Sequence, residues 1–115
     1  MKIQEEAHIL KVYISEQDMY HGRPLYEQIV LQARKIGIAG ATVTKGILGY
    51  GADSRLHSAK ILSLSENLPV IIEVVDSKEN LKELMGFLDE NVKEGLVTLE
   101  PVNIIKYRET RRKKT

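Results

Sequence analysis

At 115 residues, 43% hydrophobic and 29% charged, the chain has the size and composition of one soluble globular domain with a core of its own. It contains no cysteine, which excludes a disulfide framework and thiolate chemistry and fits a reducing cytoplasm. The net charge of +1 is unevenly spread: the chain from Tyr107 onward carries +4 and the remainder −3, which is not the profile of a nucleic-acid binder. No apolar run approaches the roughly 18 residues of a membrane span, and the start lacks a signal-peptide layout.

Ala7 to Ser15 alternates, with Leu10, Val12 and Ile14 on one face and Ile9, Lys11 and Tyr13 on the other, which predicts a strand. PLYEQIVLQARKIG follows. Its Leu25, Ile29, Ala33 and Ile36 form an apolar stripe at helical spacing, Pro24 suits a first turn, and Gly37 is a natural stop. A second strand is expected from about Ala41 to Leu48, then a polar loop from Gly51 to about Ser58, then a strand-like ILSLS at 61–65. LPVIIEVV reads as a buried strand with Pro69 at its start. Asp76 with Glu79 three residues on resembles a capping box, opening a helix from Lys78 to about Asn91 with Leu81, Leu84, Leu88 and Val92 inward. Gly95 ends the connection, and LVTLEPVNIIKY is the final strand, where Pro101 implies a bulge or an edge.

The order β-α-β-β-α-β predicts an α+β ferredoxin-like sandwich, with an antiparallel sheet and both helices on one face. Residues 1–107 make the single domain and 108–115 a basic tail, for which a solvated terminus is the simple alternative to a phosphate or subunit contact. Two helices cover only one sheet face, yet Ile9, Tyr13, Ile71 and Val75 point to the other. A bare apolar face of that size favours sheets packing on one another in a closed homo-oligomer.

The stretch GIAGATVTKGILGYGADSRLHSAK, residues 37–60, holds five of the chain's eight glycines. Glycines free backbone N–H groups to point at an anion and let a phosphate approach closely. Tyr50 can stack on a purine, and Arg55, His57 and Lys60 can form a cationic rim. The bland alternative is a bulge at Gly46, a hinge at Gly49 and Gly51, and a solvated loop. The segment matches neither phosphate-loop pattern. MYHGRPLYE places His21, Gly22 and Arg23 before a helix N-terminus, which suits an anion or simply a loop and cap. His8, His21 and His57 are too dispersed for a metal site within one chain. Ser54 and Ser58 flank His57 with no placed acid, so no catalytic residues are assigned and no enzyme is expected.

GRPLYEQIVLQARKIGIAGATVTKGILGYG, SRLHSAKILSLSENLPVIIEVVDS and GLVTLEPVNIIKY together resemble the small prokaryotic PII-like family, a domain of unknown function, over about His8 to Tyr107. That family is similar to the PII nitrogen-regulatory signal-transduction proteins, which are ferredoxin-like trimers that bind adenine nucleotides between subunits and move a long loop. The resemblance implies a homotrimer with ATP, ADP or AMP as ligand. It also implies a loop at about 51–60 that contacts a protein target, a membrane transporter being the candidate. Thr42, Gly49, Tyr50, Gly51, Lys106 and Arg108 fall on PII ligand positions. The lysine-bearing phosphate loop of PII is reduced to VKEGL, with Lys93 and Gly95 as weak substitutes, and the modified tyrosine has no counterpart between Ala52 and Asn67.

Three functions compete. The favoured one is a PII-like sensor. A small phosphatase-like enzyme on the same fold would use Arg23 but lacks a glycine-rich cradle, and a ligand-free protein–protein scaffold needs no cleft. An RNA-binding sheet is disfavoured because the one phenylalanine and five tyrosines are dispersed.

Overall fold

A computed structural model describes residues 6–51, 57–58 and 68–108. The alternation in the first segment becomes strand β1 (Ala7–Ser15). A small hairpin of β2 (Met19–Tyr20) and β3 (Arg23–Pro24) leads into helix α1 (Leu25–Ile36). Strand β4 (Ala41–Lys45) follows, then a second small pair, β5 (Leu48–Gly49) and β6 (His57–Ser58). Strand β7 (Pro69–Ser77) runs directly into helix α2 (Lys78–Asn91), and β8 (Leu96–Val102) closes the order. The strand-like 61–65, and with it Arg55 and Lys60, lies outside the described residues.

The main sheet has the order β4-β7-β1-β8 and is antiparallel throughout. The expected α+β ferredoxin-like sandwich is therefore the observed fold. Register explains the two faces. Val12 lies opposite both Ile72 and Val97, and Val43 opposite Ile72, so one parity of every strand points to the helices. That layer joins Leu10, Val12, Ile14, Val70, Ile72 and Val74 to Leu25, Ile29 and Ala33 of α1 and Leu81, Leu84 and Leu88 of α2. Each such buried aliphatic contributes roughly 1.5–3 kcal/mol relative to exposure.

Helix α1 ends as expected at Gly37, whose φ of 98° places it in the left-handed region that glycine tolerates. Three boundaries differ from the sequence expectation. Strand β4 stops at Lys45 rather than Leu48: the Gly46 N–H still donates to the Pro69 carbonyl at 2.7 Å, in register with the ladder, but Pro69 opens β7 and has no N–H to return, so the pairing ends there. The cap of α2 is Ser77, whose Oγ accepts from the Asn80 N–H, one residue beyond the expected Asp76. Strand β8 stops at Val102, and Pro101 sits on it as an edge residue, where its missing N–H disrupts no ladder.

The MYHGR segment is a tight hairpin. His21 and Gly22 both have positive φ (48° and 81°), the pattern of a two-residue type I′ connection. Tyr20 anchors it, meeting His21 edge-on at 4.4 Å and Phe87 of α2 at 5.5 Å between ring centroids. The first N–H of α1, at Leu25, is satisfied by the Asp18 carbonyl at 2.8 Å.

At the end of the sheet where the Gly46–Leu68 excursion leaves and rejoins, Glu16 ties the two roots together. Its N–H donates to the Leu68 carbonyl at 2.9 Å, its Oε2 accepts the Leu68 N–H at 3.2 Å, and its Oε1 pairs with Lys45 Nζ at 2.9 Å. The hydrogen bond and then the charge of Glu16 raise the Lys45 pKa above the ordinary 10.5. A raised folded-state value means that the pair's contribution is present below 10.5 and fades as pH rises through the raised value. Glu16→Gln keeps an oxygen for Leu68 but loses the charge. Its small stability deficit against the parent, measured by chemical unfolding, is therefore expected at neutral pH and should shrink above 10.5. A deficit that stayed constant across that range would show that Lys45 plays no part.

Candidate functional site

A depression opens where the start of β4, the far half of β7 and the segment after β8 converge. It has a volume of about 430 Å³ and is lined by Ala39, Gly40, Ala41, Thr42, Glu73, Val75, Ile104, Lys106 and Tyr107. That is within the usual size range of small-molecule sites. Its position follows from the chain path. After β8, on one edge of the sheet, residues 103–107 cross back toward β4, on the other edge, and Tyr107 Oη reaches the Ala39 carbonyl at 3.5 Å.

The lining divides by chemistry. Ala41, Val75 and Ile104 give an apolar wall, and Tyr107 adds a ring. Thr42 and Glu73, directly opposite each other across β4 and β7, supply a hydroxyl and a carboxylate. Lys106 brings an ammonium group. Nothing lies within 4 Å of where a Cβ on Gly40 would sit, so a ligand can approach that backbone closely. A flat ring against the wall, a hydroxyl or amino group on Glu73 and an anion on Lys106 would satisfy every group present.

Behind this wall lies Asp76, buried to 1% exposure at the junction of β7 and α2. Its Oδ1 accepts from the Ser77 N–H at 2.7 Å and Asn80 Nδ2 at 2.9 Å, and its Oδ2 accepts from the Ala39 N–H at 3.0 Å. His8 is directly opposite Asp76 in the β1–β7 register, and its buried Nδ1 has no hydrogen-bond partner among the described residues.

Of the residues singled out from the sequence, Thr42 and Lys106 come together in the cleft. Gly49 does not line it. An added Cβ there would lie 3.2 Å from Pro69 Cγ, and one on Gly46 would lie 2.9 Å away, so this glycine pair makes room for a proline ring. Tyr50 is 70% exposed, Gly51 faces open space, and Arg108 is exposed beyond the lining residues. His57 pairs through its backbone with Gly49 in the β5–β6 ribbon. Sequence reasoning missed Glu73, Val75, Ile104, Tyr107 and Asp76. Glu73 carried a signal, a lone acid inside the otherwise apolar VIIEVV. Ile104 and Tyr107 carried none, because only the return of the chain across the sheet brings them to β4.

Residues 7–104 match the family model DUF190, described as "Uncharacterized ACR, COG1993". The chain belongs to the DUF190 family. A UPF0166 protein of Methanocaldococcus jannaschii is 41% identical over 102 residues, spanning 88% of this chain and 94% of the relative. Among solved structures, CPII from Thiomonas intermedia K12 bound to ADP and bicarbonate superposes with a TM-score of 0.67 at 12% identity, covering 91% of this chain and 95% of that one. The GlnK–ATP complex of B. subtilis gives 0.56 at 12% identity, covering 85% and 83%. At such identities the likeness shows a shared fold. The family resemblance drawn from the sequence and the PII-like architecture are both confirmed by these matches. Among the described residues, no helix is long and apolar enough to cross a membrane.

Proposed function

We propose that this DUF190 protein is a PII-like regulatory protein that binds an adenine nucleotide in the cleft between the start of β4, β7 and the segment after β8. The observation that carries the reading is the cleft itself. An apolar wall, the Tyr107 ring, the Glu73 carboxylate and the Lys106 ammonium match the base, ribose and phosphate of a nucleotide. Proteins of the same fold are known with ADP or ATP bound, which supports the choice of ligand class.

The regulatory output is the finer part of the proposal. The protein acts as a homotrimer whose neighbouring subunits complete the clefts, and the loop at about 51–60 contacts a protein target, for which a membrane transporter is the candidate. The sheet face turned away from the helices supports an assembly. Rows of Thr44, Ile71, Tyr13 and Leu96 and of Val75 and Ile9 flank a central row of Thr42, Glu73, Lys11 and Thr98. Leu96 on that face is 56% exposed and Ile105, beyond the end of β8, is 91% exposed, apolar side chains that a neighbouring subunit would cover.

Thermal unfolding with ATP, ADP and AMP tests the ligand, and light scattering tests the assembly. A nucleotide at about 100 times its dissociation constant adds about 2.7 kcal/mol of stability, enough to raise the midpoint of a domain this size by roughly 10 °C. The shift is expected with at least one of the three and should disappear in Lys106→Glu. No shift with any of them would overturn the nucleotide reading, and a monomeric mass would overturn the trimer.

A further inference from the structure

Ser77 already caps α2 through its own hydroxyl, so the helix does not require a carboxylate at position 76. Burying an ionised carboxylate is costly unless every oxygen is used. Asp76 is 1% exposed, and its two oxygens point to different tasks. Oδ1 serves the neighbouring Ser77 N–H and the Asn80 side chain. Oδ2 reaches 37 residues back along the chain to the Ala39 N–H, at 3.0 Å. Ala39 lines the cleft beside Gly40, and its carbonyl faces Tyr107 Oη at 3.5 Å. Ile38 just before it is buried in the core with its N–H on the Ala33 carbonyl, and the β4 ladder begins only at Ala41, so between these two anchors the Ala39 N–H is held by Asp76.

We infer that Asp76 is a positioning residue for the cleft: through Oδ2 it fixes the Ala39 peptide, and thereby the wall that Gly40, Thr42 and Tyr107 present to a bound nucleotide. The inference rests on the nucleotide reading for its consequence in affinity, although the grip on Ala39 is a property of the free protein. It also ties the first turn of α2 to the ligand wall through a single side chain.

Asp76→Asn is the informative variant. Its one oxygen can serve Ser77, but its amide nitrogen then meets the Ala39 N–H, donor against donor. Ser77→Ala is the control, because it removes the α2 cap and leaves the Ala39 bond intact. Amide hydrogen exchange at Ala39 is read in the ligand-free proteins, and ADP affinity by calorimetry. In Asp76→Asn, exchange at Ala39 is expected to accelerate and ADP affinity to fall, each about tenfold, the effect of losing one hydrogen bond to a charged group. Ser77→Ala should lower the unfolding midpoint while leaving both readouts unchanged. Unaltered Ala39 exchange and ADP affinity in Asp76→Asn would overturn the inference, as would equal losses in Ser77→Ala. If the parent protein binds no ADP, the nucleotide reading fails, and Ala39 exchange alone decides the role of Asp76. If Asp76→Asn does not fold, the parent still decides: an Ala39 amide exchanging at the unprotected rate, unlike that of Val74 in β7, would refute the grip.

Discussion

Gly95→Ala will lower the unfolding midpoint by roughly 10–20 °C, the largest loss expected from any single methyl group added to this chain. Gly95 joins α2 to β8 with a φ of 155°, in a region that side-chain-bearing residues rarely adopt. An added Cβ would lie 2.6 Å from the Tyr13 carbonyl oxygen, 3.0 Å from Ile14 Cγ2 and 3.2 Å from Val92 Cγ1. The first of these is backbone in the central strand β1 and cannot swing aside. Relief requires moving the start of β8 away from Tyr13, the last pair of the β1–β8 ladder. Strained backbone and overpacking each cost about 1–3 kcal/mol, and here they act together. Circular dichroism during heating measures the loss. A midpoint within a few degrees of the parent would show that β8 is free to shift.

Ile72→Ala is the second large effect, with an expected loss of about 3–4 kcal/mol, within the range for truncating a fully buried isoleucine. Ile72 has no exposed surface and lies between Val12 of β1 and Val43 of β4 in the register, facing both helices. It is held from several directions, so its neighbours can collapse only partly into the space left behind. Ile72→Val provides the graded comparison and should lose only about 0.5–1.5 kcal/mol. Denaturant unfolding of the pair checks the ratio. Near-equal losses would mean that the layer between sheet and helices is more adaptable than its burial indicates.

The layer that holds Ile72 was legible in the sequence because it obeys local periodicity. Leu10, Val12 and Ile14 alternate, Leu81, Leu84 and Leu88 recur at helical spacing, and the fold class follows from the order of such segments. The same local logic misplaced what tertiary contact decides. Ala41 to Leu48 looks like one strand, but its ladder ends opposite Pro69, a residue 23 positions from Gly46 that opens β7 and has no N–H to give. Asp76 and Glu79 look like a capping box, but the carboxylate turns inward to Ala39 while Ser77 takes the cap. The candidate site was half legible. Thr42 and Lys106 were singled out and share the cleft, whereas the glycines nearest Tyr50 sit at the opposite end of β4, where Gly46 and Gly49 accommodate a proline ring. Composition marks a close approach but does not say whether the approaching group is a ligand or the chain itself.

The bracket of Glu16, Lys45 and Leu68 also has a practical consequence. The chain departs at Gly46 and returns at Leu68 through adjacent points, each fastened to the sheet by its own bonds. A closed neck of this kind separates the length of what lies beyond it from the stability of what lies below. Doubling an inserted loop costs only about 0.6 kcal/mol in closure entropy. The domain is thus a socket: a change of chain length between the two fastened points is expected to leave the register of β4 and β7 unaltered.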